Sequence, residues 1–182
     1  KTGMLYSDNL IHVLRERLSR QRYVLVVDPV MVSTSGKKLL QPNAIRAMKS
    51  LLPLATLVTP NVDEAFILSG QRVDSLLSLE AAARRIFDFY GCAVLAKGGH
   101  LKGNVATDLF YDGNEMVKLE AEYIQGVSTH GTGCTYSACI TAHLARGKGL
   151  LGSIQRAKRN ITDAIKHSFH FSSWTALNHF PG

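Results

Sequence analysis

Apolar residues recur along the chain in two patterns, one at helical spacing and one as short continuous runs. Residues 8–20 carry their apolar side chains on one helical face, with Asp8 as the predicted N-cap. That face comprises Ile11, Leu14 and Leu18. The next segment, YVLVVDP at 23–29, is almost wholly apolar, as expected of a strand buried on both faces. The pattern predicts a helix followed by an interior strand.

The same alternation continues to residue 97. Helices are predicted over 42–52, over 61–70 and from a cap at Ser78, and buried strands over 57–59 and 92–97. Strands that alternate with helices form parallel sheets with helices on both faces, because each crossover passes over one face of the sheet. The first half therefore predicts an α/β fold built on a mainly parallel sheet.

The pattern changes in the second half of the chain. Residues 108–120 read as two strands around an Asp-Gly-Asn turn, which predicts an antiparallel hairpin. An apolar helix is predicted from GTGC at 131–134 to Arg146, followed by a last helix. The inner face of that last helix comprises Ile154, Ala157, Ile161 and Ile165. No internal repeat, low-complexity tract or linker interrupts the pattern, so residues 1–182 are predicted to form a single domain.

Composition narrows the class of protein. With 46% hydrophobic and 19% charged residues among 182, the chain fits neither a disordered nor a collagen-like nor a disulfide-stapled protein. No apolar run is long enough to span a bilayer, and residues 1–10 lack the apolar stretch of a signal peptide. Three cysteines without metal-ligand spacing predict a reducing compartment, the cytoplasm.

The net charge of +7 has two interpretations. A basic surplus can indicate nucleic-acid binding, but the charges are scattered and the densest groups lie on predicted helices, where solvated faces explain them. A positive surplus also suits small anionic molecules such as nucleotides. We therefore predict neither a nucleic acid nor a membrane as a partner.

The most distinctive segment is HGTGCTYSA at 130–138, which opens directly onto a predicted helix. Two glycines in four residues leave backbone N–H groups uncovered at the positive helix end, where an anion or a transferred phosphoryl group is stabilised. The segment is neither a Walker A motif nor a full GxGxxG, because Tyr136 stands where the third glycine would be. An ordinary glycine-rich turn is the alternative.

Cys134 lies in the first turn of the predicted helix, where the helix dipole favours a thiolate. It can therefore serve as a base or as a nucleophile. A nucleophilic cysteine needs a histidine partner, and His130 is near in sequence, although a histidine so close is more often a turn residue. Cys139, five residues on, is predicted to be an ordinary buried thiol.

Polar residues also follow the predicted strands. Asp28 follows a buried strand, and its carboxylate cannot remain unpaired in the core. It must therefore belong to a functional site, cap a helix or form a salt bridge. Asn61 and Glu64 suit a water-coated Mg²⁺ held mostly by substrate phosphates, or else an N-terminal cap. Lys97 can reach phosphate oxygens, or else is a solvated strand end. Ligands bind outside the carboxyl ends of strands in open α/β sheets, which favours one shared site.

Taken in order, these segments resemble the ribokinase-like superfamily, and most closely its hydroxymethylpyrimidine/phosphomethylpyrimidine kinases of thiamine biosynthesis. The matching stretches are KTGMLYS, VVDPVMVSTSGKKLL, LLPLATLVTPNVDEA, AVLAKGGHL, DLFYDG, THGTGCTYSA and LNHF. The resemblance implies a three-layer α/β/α sandwich with antiparallel strands near the C-terminal half. It also implies ATP-dependent phosphorylation, with Mg²⁺, of 4-amino-5-hydroxymethyl-2-methylpyrimidine and then of its monophosphate.

The resemblance also implies a role for each matching residue. Gly131, Thr132 and Gly133 would form the anion hole, and Cys134 would take the place of the catalytic base. Lys97 would contact the transferring phosphates, and Asn61 and Glu64 would belong to the Mg–ATP site. Asp28 would lie near the metal and phosphates, so that Asp28 and Glu64 are the expected metal residues, while Met4 and Val30 would border the substrate ring. A homodimer is implied as well.

One departure is large. Members of the family begin with a further glycine-rich strand–turn segment and a substrate-contacting glutamine, roughly two βαβ units of ~30 residues each. The chain begins at Lys1 and resembles only the C-terminal two-thirds, so we expect it to be incomplete or cleaved. The alternatives to a pyrimidine kinase are a pyridoxal kinase of the same branch and a non-catalytic nucleotide-binding fragment. A cysteine acyl-transferase is more distant.

Overall fold

The protein forms fourteen elements of secondary structure within the residues that the computed structural model describes, 1–32, 39–99, 101, 105–127, 130–172 and 174–180. Residues 33–38, His100 and Thr129, which belong to motifs quoted above, lie outside the described residues. The helices are α1 (Asp8–Leu18), α2 (Pro42–Leu51), a 3₁₀ turn (Leu52–Leu54), α3 (Val62–Ser69), α4 (Leu76–Tyr90), α5 (Thr132–Ala145) and α6 (Leu150–Lys166). The strands are β1 (Val26–Val27), β2 (Leu57–Val58), β3 (Ala93–Lys97), β4 (Val105–Tyr111), β5 (Met116–Glu122), β6 (Phe169–His170) and β7 (Thr175–Ala176).

The central sheet has five strands in the order β1-β2-β3-β4-β5. The first three strands pair in parallel, with Val27 opposite Val58 and Val58 opposite Val94. The β3–β4 and β4–β5 pairs are antiparallel, and Lys97 lies opposite Asp108. The predicted change from parallel to antiparallel pairing midway through the chain is therefore confirmed.

Alternate side chains of the strands enter two separate apolar clusters. Val27, Val58 and Val94 face the cluster formed with α1 to α4, whereas Val26 and Leu57 face the cluster formed with α5 and α6. Because successive residues of a strand point to opposite faces, each strand must be apolar at every position, and this explains the continuous apolar runs. The arrangement is the predicted α/β/α sandwich.

The N-caps of two helices differ from the predicted residues. Ser7, not Asp8, caps α1, and its side chain accepts from the backbone N–H of Leu10. Ser75, not Ser78, caps α4, while Ser78 stands at the third helical position and completes a reciprocal capping box. Each error arose because two capping residues occur close together, and only the backbone conformation decides which of them stands outside the helix.

The β4–β5 hairpin is longer than its predicted span of 108–120. The first strand begins at Val105 and the second ends at Glu122. The residues at these two outer ends are exposed or half-buried, so they lack the apolar alternation that marks the inner part. Within the described residues, no helix combines the length and apolarity needed to cross a membrane.

Candidate active site

Three segments meet at the carboxyl edge of the parallel strands. Asp28 follows β1, Asn61 precedes α3, and Lys97 ends β3, where its N–H donates to the carbonyl of Pro60 at 2.8 Å. A cavity of about 420 Å³ opens above this edge. The sequence-predicted residues that line it are Asp28, Val30, Asn61, Glu64, Lys97, Gly131, Thr132, Gly133 and Cys134.

Met4 is placed differently from the other predicted site residues. Its side chain is 54% exposed on the surface, and the lining of the cavity does not include it. Val30 lines the cavity in a strained conformation, with a φ of 38°, which β-branched residues rarely adopt. The structure therefore brings Val30 to the predicted site and leaves Met4 outside it.

Several polar side chains of the site form hydrogen bonds to Asp28. Its carboxylate is buried and accepts from the ammonium of Lys97 at 3.2 Å and from the Thr59 hydroxyl at 3.3 Å, both at Oδ1. Oδ2 accepts from the Ser137 hydroxyl at 3.0 Å. The prediction that this carboxylate needs partners is confirmed, and the partners come from three elements distant in sequence.

Lys97 carries the positive charge of the site. Its side chain is only 15% exposed, so the alternative of a solvated strand end is wrong. Burial lowers the pKa of Lys97, but the carboxylates of Asp28 and Glu64 outweigh that effect and raise the pKa above its ordinary value. The ammonium is therefore charged at neutral pH and lies between two carboxylates and the cavity.

Glu64 is both a helix cap and a lining residue. Its Oε2 accepts from the N–H of Asn61 at 2.9 Å, and the Asn61 side chain accepts from the N–H of Glu64 at 2.9 Å. Its Oε1 accepts from the N–H of Met31 at 3.0 Å, directly after the strained Val30. Burial raises the pKa of Glu64, an effect that Lys97 partly offsets. Glu64 therefore takes part in capping α3, as one of the two interpretations predicted, and it also lines the cavity.

The glycine-rich loop enters α5 in a left-handed conformation, with a φ of 84° at Gly131. Its N-cap residue, Gly131, has no side chain with which to cap the helix, and the first backbone N–H groups of an α-helix have no partner within it. A Cβ at Gly133 would lie 3.2 Å from the ammonium of Lys97. The absence of a side chain at Gly133 therefore leaves room for the ammonium beside the start of α5. Cys134, the third helical residue, is exposed and lines the cavity. The helix terminus and the lysine together place positive potential at one side of the cavity, an arrangement suited to an anion.

Sequence reasoning missed a second buried ion pair. Lys158 of α6 donates to Asp108 of β4 at 2.7 Å and to the carbonyl of Ala106 at 3.0 Å. The other Asp108 oxygen accepts from the N–H of Gly98, directly after Lys97, at 3.1 Å. The available signal was a lysine four residues after Ile154 on the apolar face of α6.

The rest of the cavity wall is largely apolar. It is formed by the β4–β5 hairpin, α5 and α6, with Ala106, Ala121, Ile124, Tyr136, Ile161 and Ile165. An apolar compartment that adjoins an anion-binding helix terminus suits a ligand with a flat ring and phosphate groups.

A metal would find few protein ligands here. Among the described residues, no group of three or more histidine, cysteine, aspartate and glutamate side chains could hold a metal ion. Mg²⁺ keeps several waters and binds through one or two carboxylates and substrate phosphates, and Asp28 and Glu64 are the two predicted metal residues that line the cavity.

Comparison with known proteins gives a consistent result. Residues 1–178 match the family described as phosphomethylpyrimidine kinase. The hydroxymethylpyrimidine/phosphomethylpyrimidine kinase of Aquifex aeolicus is 42% identical over 170 residues, which cover 92% of this chain and 67% of that protein. The protein of the same name from Rhizobium meliloti is 44% identical over 167 residues, covering 91% of this chain and 63% of that protein. The chain thus spans about two thirds of the length of these relatives.

A solved structure supports the same assignment. Bacillus subtilis pyridoxal kinase, in its ADP complex, superposes with a TM-score of 0.89 at 38% identity and covers 98% of this chain, which in turn covers 68% of that protein. The predicted ribokinase-like fold is thereby confirmed. Since the family match extends over nearly the whole sequence, the chain belongs to the phosphomethylpyrimidine kinase family.

Proposed function

We propose that the protein phosphorylates the 5-hydroxymethyl group of 4-amino-5-hydroxymethyl-2-methylpyrimidine, and then its monophosphate, with ATP as the phosphoryl donor. The observation that carries the proposal is the position of the Lys97 ammonium beside the start of α5, where a Cβ on Gly133 would lie 3.2 Å from it. The buried ammonium and the first turn of the helix line the same cavity. Phosphoryl transfer needs mainly positioning and neutralisation of charge, and this pair offers both.

The phosphates are expected to lie against the first turn of α5. The N–H groups of Gly131, Thr132 and Gly133 would face the transferred group, with Lys97 beside them as a point charge. Asp28 and Glu64 would hold the Mg²⁺ through the waters bound to the ion. Asn61 caps α3, the helix that carries Glu64. When bound, Mg²⁺ supplies charge neutralisation on the phosphates. The apolar wall of the cavity would receive the base of the nucleotide.

Cys134 is proposed as the proton acceptor. Its side chain is exposed and lines the cavity in the first turn of α5. The hydroxyl proton of the substrate passes to the Cys134 sulfur as the alcohol oxygen bonds to the terminal phosphorus and ADP leaves. The thiol then returns its proton to solvent, and no covalent enzyme intermediate forms.

The ring of the alcohol is proposed to lie near Val30, which lines the cavity. The family resemblance adds Met4, although its exposed side chain does not line the cavity. A pyridoxal kinase is the second candidate, because 98% of this chain aligns with the Bacillus subtilis enzyme at 38% identity. We also propose a homodimer, from the family resemblance, and a cytoplasmic location, from the three free thiols.

The test is an ATP-consumption assay with hydroxymethylpyrimidine, its monophosphate and pyridoxal in parallel. Turnover with the two pyrimidines at a higher kcat/KM than with pyridoxal would support the proposal. A preference for pyridoxal would favour the second candidate. Calorimetric binding of Mg–ATP without phosphorylation of any alcohol, in any reconstituted form, would instead identify a nucleotide-binding fragment.

Replacing Cys134 by alanine is expected to lower kcat by about 10²-fold, the usual contribution of a positioned proton acceptor. ATP affinity should stay near the wild-type value, because the backbone N–H groups of α5 are retained. Steady-state kinetics and calorimetry measure the two effects. Cys139→Ala is the matched control, since Cys139 is on the same helix and packs against the apolar cluster. Full activity of Cys134→Ala would refute the base assignment.

Thiol labelling should distinguish the cysteines in the native protein. Burial raises the pKa of Cys92 to about 12, so Cys92 should resist alkylation near neutral pH, whereas the exposed Cys134 should react. Because the proposed phosphates lie over the first turn of α5, Mg–ATP should slow the labelling of Cys134. Peptide mass spectrometry after iodoacetamide measures both. Equal labelling with and without Mg–ATP would argue against phosphates at this helix end.

A further inference from the structure

Ser137 is a buried residue of α5 that the proposed function leaves without a role. Its side chain is 1% exposed, and its hydroxyl lies 3.0 Å from Oδ2 of Asp28. Asp28 follows β1, 109 residues earlier in the chain, so this bond connects α5 to the carboxyl edge of the sheet.

The Ser137 hydroxyl has one proton and three acceptors within reach. Besides Asp28, the carbonyls of Gly133 and Cys134 lie at 3.0 and 3.1 Å. An ionised carboxylate forms a stronger hydrogen bond than a carbonyl does, so the proton is directed to Asp28.

Other hydroxyl groups in the helices show what is special about Ser137. Ser153 of α6 is fully buried, and its hydroxyl bonds to the carbonyl of Gly149 at 2.9 Å, one turn earlier in the same helix. Thr141 and Thr162 make the same local bond to Ser137 and Lys158. Such bonds satisfy a hydroxyl within its own helix. Ser137 makes a bond to a charged group on another element in addition.

This bond is one link between α5 and the ammonium beside the proposed phosphate-binding surface. Ser137 bonds to Asp28, Asp28 pairs with Lys97 at 3.2 Å, and the ammonium of Lys97 lies 3.2 Å from the place that a Cβ on Gly133 would occupy. Gly133 and Ser137 are four residues apart on α5, which makes them neighbours on one helix face. Through these two bonds, Asp28 links α5 to Lys97 and keeps the ammonium close to the first turn of the helix.

We infer that Ser137 is a positioning residue for phosphoryl transfer. Through Asp28 it holds the start of α5 in register with Lys97, so that the helix N–H groups and the ammonium converge on one phosphoryl group. The inference rests on the proposed function, but it does not depend on which alcohol is phosphorylated. Small displacements of such groups reduce the rate of transfer more than the binding of ATP, whose base and remaining phosphates keep their contacts.

The test compares Ser137→Ala with Ser153→Ala, because both remove a buried hydroxyl that bonds to a carbonyl one turn earlier. Loss of a hydrogen bond to a charged group corresponds to a fall in rate of roughly 10- to 100-fold. We expect Ser137→Ala to lower kcat by that factor with little change in the KM for ATP, and Ser153→Ala to leave both near wild type. Equal kinetics of the two variants would overturn the inference. So would a rise in the KM for ATP as large as the fall in kcat.

A double-mutant cycle with Asp28→Asn shows whether Ser137 acts through Asp28. If it does, adding Ser137→Ala to Asp28→Asn should lower kcat little further, and the two shifts in urea midpoint should not add. Independent, additive effects would refute the link. The urea cycle needs no turnover, so it decides the contact even if no alcohol is phosphorylated and the proposed function fails. If Ser137→Ala does not fold, Ser137→Cys, which keeps the volume with a weak donor, should show the same fall in kcat.

Discussion

Replacing Lys97 by methionine is expected to lower kcat by about 10²–10³-fold, because preorganised charge at the transferred group is the largest single contribution to such a reaction. Methionine keeps most of the length of the unbranched lysine side chain, so the cavity wall is retained while the ammonium is lost. The same substitution leaves Asp28 buried without its cation, and breaking a buried pair in this way costs about 3–5 kcal/mol of unfolding free energy. Steady-state kinetics and urea denaturation measure the two effects separately.

Lys158→Met is the matched control for this prediction. Its ion pair with Asp108 is as well buried as that of Lys97, with the two side chains 11% and 5% exposed, and it lies in the same cavity wall. The two variants should therefore lose similar stability, while Lys97→Met should lose much more of kcat. If both lower kcat by the same factor, Lys97 contributes only through the stability of the buried pair, and the proposed contact with the phosphates is wrong.

Periodicity was sufficient to predict a mainly parallel sheet and the edge on which the candidate site lies. Strands that are apolar at every position must be covered on both faces, so the runs at 23–29 and 92–97 predicted helices on both faces of the sheet before any side-chain contact was known. Parallel strands end at the same edge, and Asp28 and Lys97 each follow or end one of them. Their meeting at 3.2 Å is a consequence of this topology.

The missed residues are those whose partners are remote in sequence. Ser137 is 109 residues from Asp28, and Lys158 is 50 residues from Asp108, so a local pattern contains only one member of each pair. Ser137 reads as an ordinary small residue in an apolar helix. A lysine on the apolar face of α6 was a usable signal, because a buried ammonium needs a carboxylate nearby.

Glu64 shows why two interpretations of one residue need not compete. The Asn61–Glu64 pattern suits either a Mg²⁺ site or an N-terminal cap, and in the structure the cap is present as a reciprocal capping box. A helix that begins at the carboxyl edge of a sheet places its cap in the wall of the site. The cap therefore fixes the orientation of the carboxylate towards the cavity, and local sequence alone could not separate the two roles.

Replacing Gly98 by alanine is expected to disturb the fold and the site together. A Cβ at this position would lie 2.2 Å from the carbonyl oxygen of Thr107 and 3.0 Å from the Leu79 side chain. The carbonyl belongs to the paired strand β4 and cannot move without disrupting the β3–β4 pairing, so the turn itself must shift. Overpacking of this kind costs about 1–3 kcal/mol or more, and we expect a correspondingly lower melting temperature.

Gly99 provides the matched control, because a Cβ there would meet nothing within 4 Å. Gly99→Ala should therefore melt close to the wild-type temperature, although it adds the same methyl group to the adjacent residue. Gly98 also follows Lys97 directly, and its N–H donates to Asp108 at 3.1 Å, so a displaced turn should move the ammonium as well. We accordingly expect Gly98→Ala to lower kcat even at temperatures where the variant is fully folded. Equal melting temperatures for the two alanine variants would show that the turn can relax, and the close approach of the strands would then not be what requires glycine at position 98.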